Sequence, residues 1–296
     1  MVAKTQKPVI GQVIDERGQS HDTRKVIIHK LEKAIGRPIV SLFTSFKYPV
    51  ILSDDDADML EAVLQTMNLR RGFALLLSSP GGSGLAAERI INICRKYSGT
   101  SEYWVIVPGK AKSAATMVSF GASKVYMGPA SELGPIDPQL SIAEDGREKR
   151  FSLCNVVASY KELFDLATKE KGNLQPYLQQ LQRYDAREIK DFEDAISLSE
   201  DIAIRALKTG MMSTETEENI KTKIKVFLTP EETKSHGRLI DREKAEKCGL
   251  VIEKLALNSN VWKTSYELYV RLNTFVSSQV AKCVENSQHS YAVNVQ

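Results

Sequence analysis

The chain has 296 residues, of which 42% are hydrophobic and 26% are charged, with 17 Gly, 10 Pro and 4 Cys. These proportions are ordinary for a globular protein, and they exclude a disordered chain, a collagen-like repeat and a disulfide scaffold. Forty Lys and Arg against 37 Asp and Glu give a formal net charge of +3, which is too balanced to indicate a nucleic-acid or membrane partner.

The first half of the chain alternates between predicted helices and strands. Residues 1–23 are polar and predict a flexible N-terminal arm. Helices are predicted over 24–35, from Ser53 into the following acids, over 85–97 and over 113–121, and strands over 37–46, 72–79, 103–109 and 124–128. This alternation predicts an α/β fold with a mainly parallel sheet that has helices on its faces.

The second half has a different pattern. Residues 152–211 are mostly helical in periodicity, 213–235 are polar, 243–255 predict a helix, a glycine stop and a strand, and 261–284 predict one docking helix followed by a frayed polar tail. The predicted organisation is therefore an arm over 1–23, an α/β domain over 24–260 with a helical insertion over 150–235, and a C-terminal helix and tail over 261–296.

Composition and cysteine spacing also give expectations about location and metals. No stretch reaches the roughly 18 apolar residues that a membrane helix needs, and the start lacks the apolar core of a signal peptide, so we expect no membrane span and a cytoplasmic location. The four cysteines are widely separated, without CxxC spacing, at Cys94, Cys154, Cys248 and Cys283. They predict reduced thiols in or near packed surfaces and no metal site.

The first candidate for chemistry is the turn SSPGG at 78–82, directly after a predicted buried strand. Ligands of open α/β sheets bind beyond the carboxyl ends of the strands. Gly81 and Gly82 allow the backbone to turn sharply and to present free N–H groups, as in an oxyanion hole or a phosphate cradle. The alternative is a plain tight turn. The phosphate interpretation is the weaker one, because neither GxxxxGK[ST] nor GxGxxG is present.

The second candidate is PGKAKSAATM at 108–117, where Ser113 opens a predicted helix after a strand and a glycine turn. The helix dipole, the flanking Lys110 and Lys112, and free N–H groups such as that of Ala114 would stabilise a developing negative charge there. Ser113 is accordingly either a simple helix cap or a nucleophile.

A serine nucleophile needs a base within hydrogen-bond reach and a group that orients the base. The chain has four histidines, of which three, His21, His29 and His289, fall in the arm, the first helix and the tail. His236 remains, in a predicted loop, and a loop histidine is ordinarily just solvated. Asp137 stands between two prolines, where it is either a turn former or an orienting acid.

In the order in which they occur, SSPGG, AAERI, KSAAT and SELGPIDPQ resemble the serine dehydrogenase proteinase family. That family has the Clp-protease/crotonase-like fold of repeated β-β-α units, with signal peptide peptidase A and the Clp proteolytic subunit as distant relatives. RPIVSLFT and HGRLIDREKAEKCGLVIE also fit, so the resemblance spans residues 25–256 approximately. It implies oxyanion glycines at Gly81 and Gly82 and a nucleophile at Ser113.

For the base, the chain departs from the Clp subunit. A catalytic His is expected near the position of Asp137 and a catalytic Asp near that of His236, so the two triad members would have exchanged places. A triad is defined by geometry rather than by chain order, which permits Ser113–His236–Asp137. The alternative is a Ser–Lys dyad as in signal peptide peptidase A, with Lys161, or second Lys169, as a base that burial would have to activate.

The resemblance implies a serine endopeptidase that hydrolyses peptide bonds without a cofactor, with the N–H groups of Gly81 and Ala114 holding the oxyanion. Two alternatives stay open, a non-catalytic peptide-binding or assembly module and an acyl-CoA enzyme of the crotonase branch. Relatives of this kind form rings or stacks, which implies a homo-oligomer. The resemblance also implies a peptide or protein substrate. No nucleic-acid partner is expected.

Overall fold

A computed structural model describes residues 8–16, 20–99, 102–144, 147–230 and 235–295. Its strands are β1 (Ile39–Thr44), β2 (Phe73–Ser78), β3 (Tyr103–Val107), β4 (Lys110–Ala111), β5 (Lys124–Met127), β6 (Glu132–Leu133), β7 (Gln139–Glu144), β8 (Arg147–Ser152), β9 (Ile252–Lys254), β10 (Val280–Glu285) and β11 (Ser290–Asn294).

The helices of the described residues are α1 (Val9–Asp15), α2 (His21–Ile35), α3 (Asp54–Leu64), α4 (Gly84–Tyr97), α5 (Ala114–Phe120), α6 (Leu153–Lys169), α7 (Gln175–Leu181), α8 (Ala186–Lys208), α9 (Glu217–Lys223), α10 (Lys225–Leu228), α11 (Arg242–Lys247) and α12 (Asn260–Ser278). None of them is long and apolar enough to cross a membrane.

The centre of the fold is a seven-stranded sheet in the order β11-β10-β1-β2-β3-β5-β9. The five strands from β1 to β9 in that order are parallel, and β10 and β11 join as antiparallel strands at one edge. Strand β2 is buried along its whole length, as a parallel strand covered on both faces must be. The mixed α/β architecture with a mainly parallel central sheet confirms the fold class expected from sequence.

Two apolar layers flank the sheet. On one face, α3, α4, α5 and α8 form the larger core cluster with strand side chains such as Leu75 and Val105. On the other face, α2 and α12 pack against Phe43 and Leu76 through a smaller cluster. Because both faces are covered, the carboxyl ends of the parallel strands are the part of the sheet left for a site.

The N-terminal segment differs from the expectation of an unstructured arm. Residues 9–15 form α1, which packs against α12 and buries Val13. Helix α2 begins at His21, where the Ser20 hydroxyl accepts a hydrogen bond from the Thr23 N–H. The sequence pattern did not predict α1, because this short helix obtains its packing partner from α12, which is distant in the chain. Residues 1–7 and 17–19 of the predicted arm lie outside the described residues.

The C-terminal prediction of one helix over 261–284 followed by a frayed tail is wrong beyond residue 278. Helix α12 ends at Ser278, β10 pairs antiparallel with β1, and β11 pairs with β10. The apolar residues of 280–284 are compatible with the periodicity of a helix or of a strand. They form a strand because the edge of β1 would otherwise have unpaired backbone groups. Likewise, residues 150–152 of the predicted helical insertion belong to strand β8. The outer limits of the predicted domains stay predictions.

Candidate active site

Ser113 lies at the sharp turn between β4 and α5, as the N-cap residue of that helix. Its backbone has φ +50° and ψ −121°, and among the described residues it is the non-glycine residue with positive φ. A non-glycine residue held there costs on the order of 1–3 kcal/mol and requires surroundings that impose it. A serine on a strained strand-to-helix turn presents its hydroxyl outward, as nucleophilic serines of α/β hydrolases do.

The glycine turn after β2 lies directly against Ser113. Gly81 has φ +101°, and a Cβ added to it would stand 2.6 Å from the Ser113 Cβ and 2.6 Å from the Lys112 carbonyl oxygen. Any side chain at residue 81 would therefore displace the serine. The structure thus brings together the two turns that the sequence singled out, because they follow neighbouring parallel strands and leave the sheet at the same edge.

Hydrogen bonds fix the direction of the backbone amides in this turn. The Gly81 N–H donates to the Ser79 hydroxyl at 3.1 Å, so it already has an acceptor. Leu52 donates its N–H to the Gly81 carbonyl at 2.8 Å and accepts from the Ser83 N–H at 2.9 Å, which holds Gly82 between them. Within the described residues, no hydrogen bond uses the N–H of Gly82 or of Ala114.

His236 and Asp137 form a hydrogen-bonded pair across the cavity wall. The His236 Nδ1 lies 2.8 Å from the Asp137 Oδ1, and the Asp137 side chain is fully buried. Its other oxygen, Oδ2, has no hydrogen-bond partner among the described residues. The carboxylate thereby fixes the ring orientation and leaves Nε2 as the nitrogen for other partners.

Strand β6 connects the three segments that carry these side chains. Leu133 pairs with Ala111 in β4, just before Ser113, and exchanges two backbone hydrogen bonds with Ile240, four residues after His236. The chain then continues from Leu133 to Asp137, so one short strand sets the spacing between the serine turn and the histidine–aspartate pair.

Thr116 in α5 reinforces this connection. Its buried hydroxyl lies 2.8 Å from the Ala111 carbonyl oxygen and 3.0 Å from the Gly134 carbonyl oxygen, and it accepts from the Gly134 N–H at 3.1 Å. The serine helix is therefore bonded to the segment that leads to Asp137. Sequence reasoning missed Thr116, although a threonine three residues after the candidate serine, in a helix of small residues, was the available signal.

The lysine next to the serine points elsewhere. Lys112 Nζ donates to the Leu133 carbonyl at 3.2 Å and lies 3.2 Å from a Glu132 carboxylate oxygen. Burial lowers the pKa of the Lys112 ammonium, an effect that the Glu132 carboxylate partly offsets. Because both partners lie in β6, Lys112 acts here as a structural link rather than as a group directed at Ser113.

A cavity of about 590 Å³, which we call the serine cavity, unites these groups. Its walls include every member of the predicted triad and glycine pair, namely Ser113, His236, Asp137, Gly81 and Gly82. No hydrogen bond within the described part of the chain joins the Ser113 hydroxyl to the His236 ring; the two side chains share the cavity instead.

The alternative base, Lys161, is not buried, although a lysine needs burial to act as a base. Its side chain is 62% exposed, and its Nζ pairs with the Glu193 carboxylate at 2.7 Å on the surface between α6 and α8. It is absent from the lining of the serine cavity. The neighbouring Tyr160 and Phe164 do not bury it, and their rings stack on each other. Lys169 is also exposed.

Comparisons with known proteins find similarity in sequence and in structure. A family model described as "ClpP-like SDH-type serine proteinase" matches residues 4–146. The uncharacterized protein MJ0137 of Methanocaldococcus jannaschii is 32% identical over 114 residues, which are 38% of this chain and 37% of that protein. The matched part thus spans little more than a third of that relative's length.

Two solved structures of the 1510-N membrane-bound stomatin-specific protease are also similar. A serine-to-alanine mutant has a TM-score of 0.31 and 16% identity, over 69% of this chain and 92% of that one. A lysine-to-alanine mutant in complex with a substrate peptide has a TM-score of 0.31 and 15% identity, over 74% and 93%. Residues 4–146, which contain Ser113, Asp137 and the glycine pair, are thus similar to the family of ClpP-like SDH-type serine proteinases.

Proposed function

We propose that this protein is a serine peptidase that hydrolyses peptide bonds with Ser113 as nucleophile, His236 as general base and Asp137 as its orienting acid. The observation that carries the proposal is the strained serine turn pressed against the glycine turn, in a cavity that the hydrogen-bonded His236–Asp137 pair also lines. Strain of this kind at a cavity wall is typical of functional sites.

In the proposed reaction, the Ser113 oxygen attacks the peptide carbonyl carbon while its proton passes to His236 Nε2. The carbonyl oxygen takes up the negative charge, and the tetrahedral intermediate collapses to an ester on Ser113 as His236 returns the proton to the departing amine. Water, deprotonated by His236, then releases the acid and restores the serine. His236 and Ser113 must come within hydrogen-bond reach during this cycle, and catalytic hydrogen bonds commonly tighten when substrate binds.

For the oxyanion, we assign the N–H groups of Gly82 and Ala114. The sequence pointed equally to Gly81, but its N–H donates to the Ser79 hydroxyl. The contribution of Gly81 is steric: it lets the Ser113 turn pack closely against the glycine turn, because residue 81 has no room for a side chain. A lost oxyanion donor costs about 3 kcal/mol of transition-state stabilisation.

The test is covalent labelling of the full chain with a fluorophosphonate probe, followed by mass spectrometry of the labelled peptide. We expect the probe on Ser113 in the wild type and no labelling in Ser113→Ala. Ser119→Ala is the matched control, because Ser119 lies in the same helix with its hydroxyl bonded to the Ala115 carbonyl at 3.0 Å. Labelling that survives Ser113→Ala would show that the nucleophile is misassigned.

The same experiment distinguishes the other candidate function, a peptide-binding module without catalysis. Such a module would bind peptides, but neither wild type nor Ser119→Ala would accept the probe. A Ser–Lys dyad through Lys161 is not proposed, because that lysine is engaged with Glu193 at the surface.

We also propose that the protein forms a homo-oligomer through α6 and α7. Large apolar side chains are exposed on and between these helices, at Phe164, Leu166, Leu174 and Leu178. Exposed apolar groups gathered in one region indicate an interaction surface. Light scattering after size exclusion should give a mass that is a multiple of 33.0 kDa, and Phe164→Lys should reduce it. A monomeric wild type would contradict this.

A further inference from the structure

A second and larger cavity, which we call the hairpin cavity, lies between the β7–β8 hairpin and helices α6 and α8. It measures about 1,020 Å³, at the upper end of the roughly 300–1,000 Å³ typical of small-molecule pockets. Its walls combine apolar side chains, Leu140, Ile142, Phe151, Val156 and Phe192 among them, with charged ones at Arg150, Arg183 and Glu188. Neither Ser113 nor the glycine pair lines it.

The hairpin cavity adjoins the serine cavity. Three residues, Gln139, Arg150 and His236, line both. His236 therefore stands at the boundary, with Ser113 on one side and the apolar walls of the hairpin on the other. A substrate bound across the serine would reach the hairpin cavity by passing the histidine.

One polar group in the hairpin cavity lacks a partner. Ser152 is 8% exposed, and its hydroxyl has no hydrogen bond within the described residues. It occupies the N-cap position of α6 but does not cap the helix. A buried hydroxyl without a partner costs free energy. The cavity wall thus combines apolar side chains with a residue whose polar group has no partner among the described residues.

We propose that the hairpin cavity binds the part of the peptide substrate that follows the scissile bond and selects apolar side chains there. This inference rests on the proposed function. In serine acyl transfer, the histidine donates its proton to the departing amine, so the amine nitrogen lies beside the histidine. The chain that begins at that nitrogen continues on the far side of His236 from Ser113, and the hairpin cavity is the space found there.

The test uses the acyl-enzyme. The acyl group is then already attached to Ser113, so an added amine probes only the side of the site that binds the leaving amine. The full chain reacts with p-nitrophenyl acetate, whose activated leaving group departs readily, and forms an acetyl ester on Ser113. Added leucinamide competes with water: its amine nitrogen attacks the ester carbonyl, the serine oxygen departs and receives a proton, and N-acetyl-leucinamide forms. Glycinamide is the matched amine without an apolar side chain.

Val156→Asp tests the lining directly, and Ala158→Asp is its control. Both residues lie in α6, and Ala158 is exposed and lines neither cavity. In the wild type we expect leucinamide to intercept the acyl-enzyme about tenfold better than glycinamide does, in keeping with the discrimination an apolar pocket supplies. Val156→Asp should remove that preference, and Ala158→Asp should keep both the preference and the rate of ester hydrolysis.

The outcomes separate the two proposals. Equal interception by leucinamide and glycinamide in the wild type, or an unchanged preference in Val156→Asp, would overturn the assignment of the cavity and leave the serine mechanism standing. Ester hydrolysis that is unaffected by Ser113→Ala would instead overturn the proposed function, and this inference with it.

Discussion

At the scale of single residues, the site depends on a backbone position, Gly81, that has no room for a side chain. Gly81→Ala introduces a Cβ within 2.6 Å of both Lys112 and Ser113, at φ +101°. Backbone strain alone costs about 1–2 kcal/mol, and the collision adds to it. We expect a lower melting temperature and loss of fluorophosphonate labelling.

Gly36→Ala is the control for that substitution. Gly36 also has positive φ, at +75°, but a Cβ there meets no atom within 4 Å. Only the backbone cost of about 1–2 kcal/mol remains, and labelling should be normal. Normal labelling of Gly81→Ala would contradict the close approach of the two turns.

The pairing of Asp137 with His236 supports a second prediction at this scale. Asp137→Asn keeps the size of the side chain but can donate to His236 Nδ1 and favour the wrong tautomer. Loss of the correct tautomer lowers kcat by about 10⁴-fold in a serine triad. Ester hydrolysis by the purified variant measures it, with circular dichroism to confirm the fold. A rate close to the wild type would remove Asp137 from the mechanism.

At the scale of elements, α5 and β6 position the side chains that we propose for catalysis. Thr116→Val is nearly isosteric but leaves the Gly134 N–H without its acceptor in a buried place, at a cost of about 1–3 kcal/mol. We expect kcat for ester hydrolysis to fall by about 10- to 100-fold, because small displacements of catalytic groups have effects of that size.

Two comparisons separate positioning from general stability. Thr116→Ser keeps the hydroxyl and should recover most of the rate. Ser119→Ala removes another buried hydrogen bond of the same helix, to the Ala115 carbonyl, which lies away from the Gly134 segment. If Ser119→Ala lowers kcat as much as Thr116→Val does, Thr116 has no special positioning role.

At the scale of the whole molecule, the two ends of the chain meet in a buried ion pair. Arg24 in α2 donates two hydrogen bonds of 2.8 Å to the carboxylate of Glu285 in β10, and the two side chains are 1% and 0% exposed. Arg24 also lies over the Phe275 ring, 4.2 Å from its centroid. This pair ties α2 to the antiparallel edge of the sheet.

Arg24→Met should destabilise the protein by about 3–5 kcal/mol, because it leaves the Glu285 carboxylate buried without its partner. Urea unfolding followed by circular dichroism measures the change. Lys25→Met is the matched control, since Lys25 pairs with Asp22 at the exposed surface of the same helix and should unfold like the wild type. Equal midpoints for the two variants would show that the buried pair is dispensable.

Local sequence patterns are sufficient to predict the parallel α/β core and the segments that carry the candidate site residues. A buried strand reads as an apolar run, and glycines or a serine at its end mark a turn, so Gly81, Gly82 and Ser113 could be singled out from local pattern. The β10–β11 edge and helix α1 could not, because their partners, β1 and α12, are distant in the chain.

Which of the candidate groups lie close together depends on tertiary packing. Asp137 and His236 are 99 residues apart, and their 2.8 Å contact depends on β6 pairing with both β4 and Ile240. The exposure of Lys161 and its pairing with Glu193 are equally products of packing. Propensity and periodicity act over a few residues, whereas the protonation, orientation and access of a side chain depend on atoms that only folding brings beside it.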